Sequence, residues 1–174
     1  SGIDSLKVEG RMKSHLYIAN TIGTYRFALD EIHKQLEQGI KDPTLNYHQL
    51  EGKLKQVSNR TFSTGSLLNR AFSDSLRFDT GGYISGVEFI GVIKEMDYDR
   101  GMVIETKAPI QLNEKMEIQT IEGKCIPFSV SLISDMQGNQ IPKANPNTIV
   151  TLPWVEGVTP MSILRKLKIT EKNL

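Results

Sequence analysis

Ser58-Asn59-Arg60-Thr61-Phe62-Ser63-Thr64-Gly65 divides the chain into two kinds of sequence. Before it the residues carry mostly helical periodicity. From about Tyr83 onward they read as short strands and turns. The octet itself follows neither period. Its hydroxyl-bearing side chains can bond nearby backbone groups and Gly65 permits positive φ, so an ordered loop is expected. Arg60 adds a planar five-donor fork suited to carboxylate or phosphate, and Phe62 adds one apolar anchor. A loop of this composition is more often a structural junction than a binding site. Asn59-Arg60-Thr61 also matches a glycosylation sequon, a chance match in a chain without secretory features.

Upstream of the octet, the spacing predicts a strand and two helices. In Ile3 to Lys13, Leu6, Val8 and Met12 alternate with Lys7, Glu9, Arg11 and Lys13, a period of two. The plain reading of that charged face is a solvated strand edge, and the sharper one is a strand lining a site. Ser14 is a good N-cap for a long helix in which Ile18, Ile22, Tyr25, Leu29, Ile32 and Leu36 form one apolar stripe. Gly39 is placed to end it. Such a stripe needs a partner surface, and a second helix supplies part of one. There Asn46 and Gln49 resemble a capping box and Tyr47, Leu50, Leu54 and Val57 repeat the spacing.

Downstream of the octet, Leu67, Leu68, Ala71 and Phe72 could make a short helix. Thr80-Gly81-Gly82 reads as a hinge, which places a domain boundary between residues 1–82 and 83–174. Phe89-Ile90-Gly91-Val92-Ile93 is a short apolar strand ending at Asp97-Tyr98-Asp99-Arg100-Gly101. Twelve-residue counting from Asp97 reaches Ala108 rather than a glutamate, so this is a hairpin turn and not a calcium loop. Met102 to Glu105 returns, and Met116 with Ile118 begins another strand. Ile126, Phe128, Val130 and Leu132 alternate in the cleanest strand of the chain, with Pro127 expected at an edge or strand start. Gln137-Gly138-Asn139 is a turn, Ile149 to Leu152 a strand, and Met161 to Lys168 a short helix with Arg165, Lys166 and Lys168 near its C-terminus. The fold class is therefore α+β: N-terminal helices, then a small antiparallel barrel whose closure removes unpaired edges.

The 174 residues can bury a substantial core. The formal net charge of +1 comes from 11 Lys/Arg against 8 Asp/Glu through Phe78, and 10 against 12 after it. That is no general electrostatic footprint for nucleic acid. The apolar runs are too short to span a bilayer. One cysteine, Cys125, excludes an internal disulfide and fits a reducing, cytoplasmic setting. His15, His33 and His48 are too scattered for a zinc site. No phosphate loop, dinucleotide fingerprint or nucleophile elbow occurs, so no catalytic residue and no metal set is assigned.

Two stretches then read together. Gly2-Ile3-Asp4-Ser5-Leu6-Lys7-Val8-Glu9-Gly10-Arg11-Met12-Lys13-Ser14, followed by Tyr25-Arg26, resembles the end of the core region of the collagenase-like peptidase family U32. Val57 to Gly65 resembles that family's Ser-His-Arg-Gly-Tyr-Thr-Thr-Gly run. Arg60, Thr64 and Gly65 match it, whereas Asn59, Thr61, Phe62 and Ser63 replace His, Gly, Tyr and Thr. Phe89 to Leu152 is similar to the family's C-terminal extension, itself akin to the second domain of translation elongation factors, with Asn113-Glu114 at its usual Gly-Asp turn.

The resemblance implies a C-terminal part of a longer protein, whose α/β barrel and cysteine-rich signature would precede Ser1. It implies either of two parent activities: peptidase action on collagen-like or other proteins, or hydroxylation of the tRNA wobble uridine. An iron–sulfur cluster, implied for the latter, would belong to the upstream region. The implied partners are that catalytic barrel and a tRNA or protein substrate, with no membrane and a homodimer through the orphan first strand as a further option. Substrate-binding candidates are Lys7, Glu9, Arg11 and Lys13 on the first strand, and Ser58, Asn59, Arg60 and Thr64 in the octet. The expected function is that of an accessory fragment, inactive alone, which positions a macromolecular substrate such as tRNA. The alternatives are a wall of a protease active site and a structural dimerisation domain.

Overall fold

In the computed structural model, residues 3–57 and 86–168 are described. Helix α1 (His15–Glu37) and helix α2 (Tyr47–Lys55) precede eight strands, and the fold is α+β as expected. Ser14 caps α1 by accepting the Tyr17 amide at 3.2 Å, and Asn46 caps α2 by accepting the Gln49 amide at 3.0 Å. Gly39, at φ +80°, closes α1 in a Schellman motif. Its amide reaches the Leu36 carbonyl at 2.9 Å, and the Ile40 amide reaches that of Gln35 at 3.0 Å. The Gln35 side chain then clamps the interhelical turn, donating to the Thr44 carbonyl and accepting from the Thr44 amide, both at 2.9 Å.

The strands are β1 (Val87–Asp97), β2 (Gly101–Thr106), β3 (Ile110–Gln111), β4 (Lys115–Gln119), β5 (Cys125–Ser129), β6 (Lys143–Ala144), β7 (Ile149–Leu152) and β8 (Ile163–Leu167). Six form an antiparallel sheet in the order β5-β4-β8-β1-β2-β7, and β3 pairs with β6 separately. Pro127 lies on β5, an outer strand, where a missing amide hydrogen costs no ladder bond. Asp97 organises the β1–β2 turn by accepting the amides of Asp99 and Arg100 at 2.9 and 3.0 Å.

The sheet curls into a half-barrel. Its register shifts twice along β1, between Phe89 and Gly91 against β8 and between Ile93 and Glu95 against β2. Such bulges bend a strand and increase its twist. The outer strands β5 and β7 do not pair with each other. Instead the chain leaving β5 crosses the opening, and Ser134 exchanges backbone hydrogen bonds with Thr151 of β7 at 3.0 and 2.9 Å. The alternating run therefore ends as a strand at Ser129, short of Leu132. Inside lies a core that includes Ile90, Ile93, Ile104, Ile118, Val130 and Leu164, none more than 1% exposed.

Three expectations need correction or relocation. Met161 to Lys168 is not a helix: residues 163–167 form β8, in the interior of the sheet between β1 and β4. Ile163 packs beneath the helices with Leu16, Val57 and Val87, while Leu164 enters the barrel core. Burial on both faces erases the alternation by which a strand is recognised. Secondly, Ile3 to Gly10 is irregular and ends in a turn in which the Lys13 amide meets the Gly10 carbonyl at 2.9 Å. The period of two is present, but no strand of the described residues pairs with this segment to supply ladder bonds. Thirdly, the octet, the short helix expected around Leu67 to Phe72 and the boundary at Thr80-Gly81-Gly82 lie outside the described residues.

The apolar stripe of α1 is also placed unexpectedly. Ile18, Ile22, Tyr25, Leu29 and Leu36 are 44–51% exposed, and the buried residues of the helix are Leu16, Asn20, Thr21 and Thr24. Helix α2 has nine residues against 23 in α1, so at about 1.5 Å per residue it covers less than half of its partner's length. On that face a polar bond crosses between the helices: Asn20 donates to the Lys53 carbonyl at 2.8 Å, satisfying the end of α2. Within α1, Thr24 donates to the Asn20 carbonyl at 2.7 Å.

Candidate functional site

The helices join the sheet through a buried cation. Arg165 of β8 is 3% exposed and directly opposite Glu117 of β4 in the ladder. Its guanidinium donates to Glu117 Oε2 at 3.2 and 3.0 Å, to Gln119 Oε1 at 2.9 Å and to Cys125 Sγ at 3.0 Å. A longer bond, 3.4 Å, reaches Gln56 Oε1 just beyond α2. A buried guanidinium is tolerated where its donors are satisfied, and here one fork ties two strands and the helical region together. This cluster is a joint, because its donors are spent on the protein.

Beside the joint, a cleft separates α1 from the turn between β4 and β5. One half, about 190 Å³, is polar and includes Asn20, Thr24, Lys53 and Lys124. The other half, about 550 Å³, is largely apolar and includes Ile18, Ile22, Ile121, Met161 and Ile163. Gly23, Phe27, Gln119 and Glu122 line both. Phe27 is 43% exposed, and the Lys53 ammonium lies 4.9 Å from its ring centroid. That separation is a cation–π contact. Arg26 on the apolar side is neutralised by Asp30, whose carboxyl is held below its usual range by the hydrogen bond from Arg26. Neither Lys53 nor Lys124 pairs with a carboxylate among the described residues.

The residues expected to bind substrate fall elsewhere. Lys7 and Glu9 form an ion pair of 2.8 Å on the irregular first segment, both largely exposed. Arg11 is exposed on the following turn, and the Lys13 ammonium lies 5.2 Å from the Tyr17 ring centroid. Ser58, Asn59, Arg60 and Thr64 lie outside the described residues. The segment from Ile3 to Val8 borders a second groove with Ile22, Tyr25 and Leu29 of α1, about 600 Å³ in volume. Sequence reasoning missed Asn20, Thr24, Phe27, Lys53 and Lys124. The first three do follow helical spacing around Gly23, but the brighter apolar stripe on the same helix masks that signal. Lys53 and Lys124 are 71 positions apart, and only folding brings them to one cleft.

Among the described residues, no group of three His, Cys, Asp or Glu side chains is placed to hold a metal ion. The chain's one cysteine supplies a single thiolate, which does not fit an iron–sulfur cluster held on four cysteines. No described helix is long and apolar enough to cross a membrane.

Residues 1–77 match the model of peptidase family U32, and residues 85–165 match that of the peptidase family U32 C-terminal domain. The tRNA hydroxylation protein P1 of Bacillus subtilis is 27% identical over 169 residues, covering 96% of this chain and 39% of the relative. The tRNA hydroxylation protein P of Escherichia coli is 26% identical over 144 residues, covering 82% of this chain and 30% of the relative. The chain thus spans 39% and 30% of the length of these relatives. A solved C-terminal domain of a Geobacillus thermoleovorans U32 peptidase aligns with 47% of this chain and 93% of its own length, at 22% identity and a TM-score of 0.43.

Proposed function

From the premise that this chain belongs to peptidase family U32, we propose that it is the C-terminal accessory part of a tRNA hydroxylation protein. In this reading it positions tRNA for a catalytic region outside the chain. The observation that carries the reading is the similarity to a tRNA hydroxylation protein across 96% of the chain, helices and sheet together. The chain is organised as residues 1–82, which carry the helices, and residues 83–174, which carry the sheet.

The half-exposed stripe of α1 fits this role. Tyr25, Leu29 and Leu36, half exposed on α1 and outside the cleft, are available to pack against another body. In this reading that body is the remaining length of the same protein. Lys7, Glu9, Arg11 and Lys13 lead into this face and are assigned to the substrate side, as are Ser58, Asn59, Arg60 and Thr64. No catalytic residue is assigned to the chain, and an iron–sulfur cluster, where the protein uses one, is held by cysteines outside it. The competing reading, a wall of a peptidase active site, rests on the family's description.

Binding of the purified chain to mixed tRNA and to gelatin, each measured across a salt series, separates the two. Phosphate contacts make tRNA affinity fall steeply with salt, whereas peptide docking follows no such law. Salt-dependent tRNA binding without gelatin binding supports the tRNA reading. Gelatin binding with no tRNA binding replaces it with the peptidase one. The chain alone is expected to turn over neither substrate; turnover abolished by a point substitution within it would overturn the accessory role.

A further inference from the structure

The cleft between α1 and the β4–β5 turn combines three features that ordinary surface grooves lack together. It has a half-exposed aromatic ring at its centre, a strip of exposed aliphatic side chains on one side, and on the other two lysines that pair with no carboxylate among the described residues. Ile18, Ile22, Ile121 and Met161 are 45–63% exposed, so the strip is open to a ligand and not to solvent by accident of one residue. Gly23 lies where the halves meet, and a Cβ built there meets nothing within 4 Å, so the helix itself leaves room at the cleft's centre. Among the described residues Glu122 is the one carboxylate lining the polar half, and Asp30 at the other is spent on Arg26.

We propose that this cleft binds a single unstacked nucleotide of an RNA strand, with the base against Phe27 and the aliphatic strip and the phosphate at Lys53 and Lys124. The proposal rests on the tRNA reading above and gives it a location. A splayed-out base presents an apolar π-face that needs an aromatic or aliphatic bed, and its backbone presents an anion within reach of the same bed. A peptide segment would use the aliphatic strip but would leave both lysines unmatched unless it were acidic. The polar half is small, which suits one phosphate and not a duplex backbone.

The test is fluorescence anisotropy of mixed tRNA with this chain at several potassium chloride concentrations. Four forms are compared with the parent: Phe27→Ala, Gly23→Leu, Lys124→Gln, and Lys53→Gln combined with Lys124→Gln. Phe27→Ala is expected to weaken binding about fivefold or more, the loss typical of one stacked base. Gly23→Leu fills the centre of the cleft and is expected to weaken binding by a similar factor while leaving the thermal midpoint unchanged or raised, since leucine favours a helix more than glycine does. The double lysine form should lower the slope of log affinity against log salt by about 1.4, two single-strand contacts at about 0.7 each. Lys124→Gln alone, on an exposed turn, should lower it by about half as much and guards against a folding artefact. If the parent binds tRNA and all four forms bind equally with an unchanged slope, the cleft is overturned and the tRNA reading survives. If the parent shows no salt-dependent tRNA binding, the tRNA reading itself fails. Loss of gelatin binding in these forms, with tRNA binding intact, would assign the cleft to peptide and overturn the proposal.

Discussion

The sheet and the helices solve the problem of burial in opposite ways. The sheet turns its large aliphatic side chains inward, so that Ile90, Ile93, Ile104, Ile118 and Leu164 lose essentially all contact with water. At about 25 cal/mol per Å² of apolar surface, this is the chief source of stability in the molecule. Helix α1 buries two threonines and an asparagine beside a single leucine, Leu16, and leaves its apolar stripe half exposed. The difference teaches that an amphipathic pattern states which face can be buried, and not whether a partner surface packs on it. Among the described residues the sheet covers its own core, and the helix keeps an open face. The contrast can be broken or sharpened by substitution.

The largest effect is expected at the joint between the regions. Arg165→Ala strands the Glu117 carboxylate and releases bonds to Gln119, Cys125 and Gln56. Removing one partner of a buried pair costs about 3–5 kcal/mol. Glu117 keeps 24% of its side-chain exposure and can rehydrate, so the loss in urea unfolding should fall near the lower end, about 3 kcal/mol. A loss below about 1 kcal/mol would mean the helices and sheet do not depend on this joint.

Next comes the close approach of β1 to β2. A Cβ at Gly91 would lie 2.6 Å from the Glu105 carbonyl oxygen and 3.0 Å from Ile104 Cγ2. Backbone cannot yield as a flexible side chain can, so Gly91→Val should destabilise by about 2 kcal/mol, as overpacking does. An unchanged denaturation midpoint would show that β1 and β2 do not approach this closely.

A smaller effect appears only in acid. Glu105 is held at about 2 by hydrogen bonds from Lys107 and Lys94, against an ordinary value of 4.5. A carboxyl depressed in the folded state contributes stability that is present above about pH 4.5 and is lost as the pH falls toward 2. Glu105→Gln should therefore flatten the fall of the thermal midpoint between those values. A parent and variant with parallel acid limbs would remove Glu105 from the account.

The smallest effect on stability is expected on the open face. Ile22→Ser or Leu29→Ser should change unfolding free energy by no more than about 0.5 kcal/mol, as surface substitutions do. A loss of 2 kcal/mol or more would mean that the stripe is buried within this chain after all.

The features that the sequence by itself determined are those closed by neighbours. Ser14 and Asn46 cap helices three residues away, Gly39 ends α1 through bonds three and five residues back, and Asp97 folds the hairpin with the amides of Asp99 and Arg100. Pro127 excluded an interior strand through its own missing donor. The α+β class followed from these and from the periods between them. The tertiary structure alone decided which pattern would find a partner. The alternation of Ile3 to Lys13 looked like a strand and has no ladder among the described residues, while Met161 to Lys168 looked like a short helix and residues 163–167 occupy the interior of the sheet. Arg165 bonds to groups 46, 48 and 109 positions away, and the cleft at Phe27 draws on Lys53 and Lys124 from separate elements. Hydrogen bonds within a turn are set by local φ and ψ and can be read from a few residues. Pairing across strands, burial of a face and the meeting of distant charges depend on which surfaces the whole chain brings together.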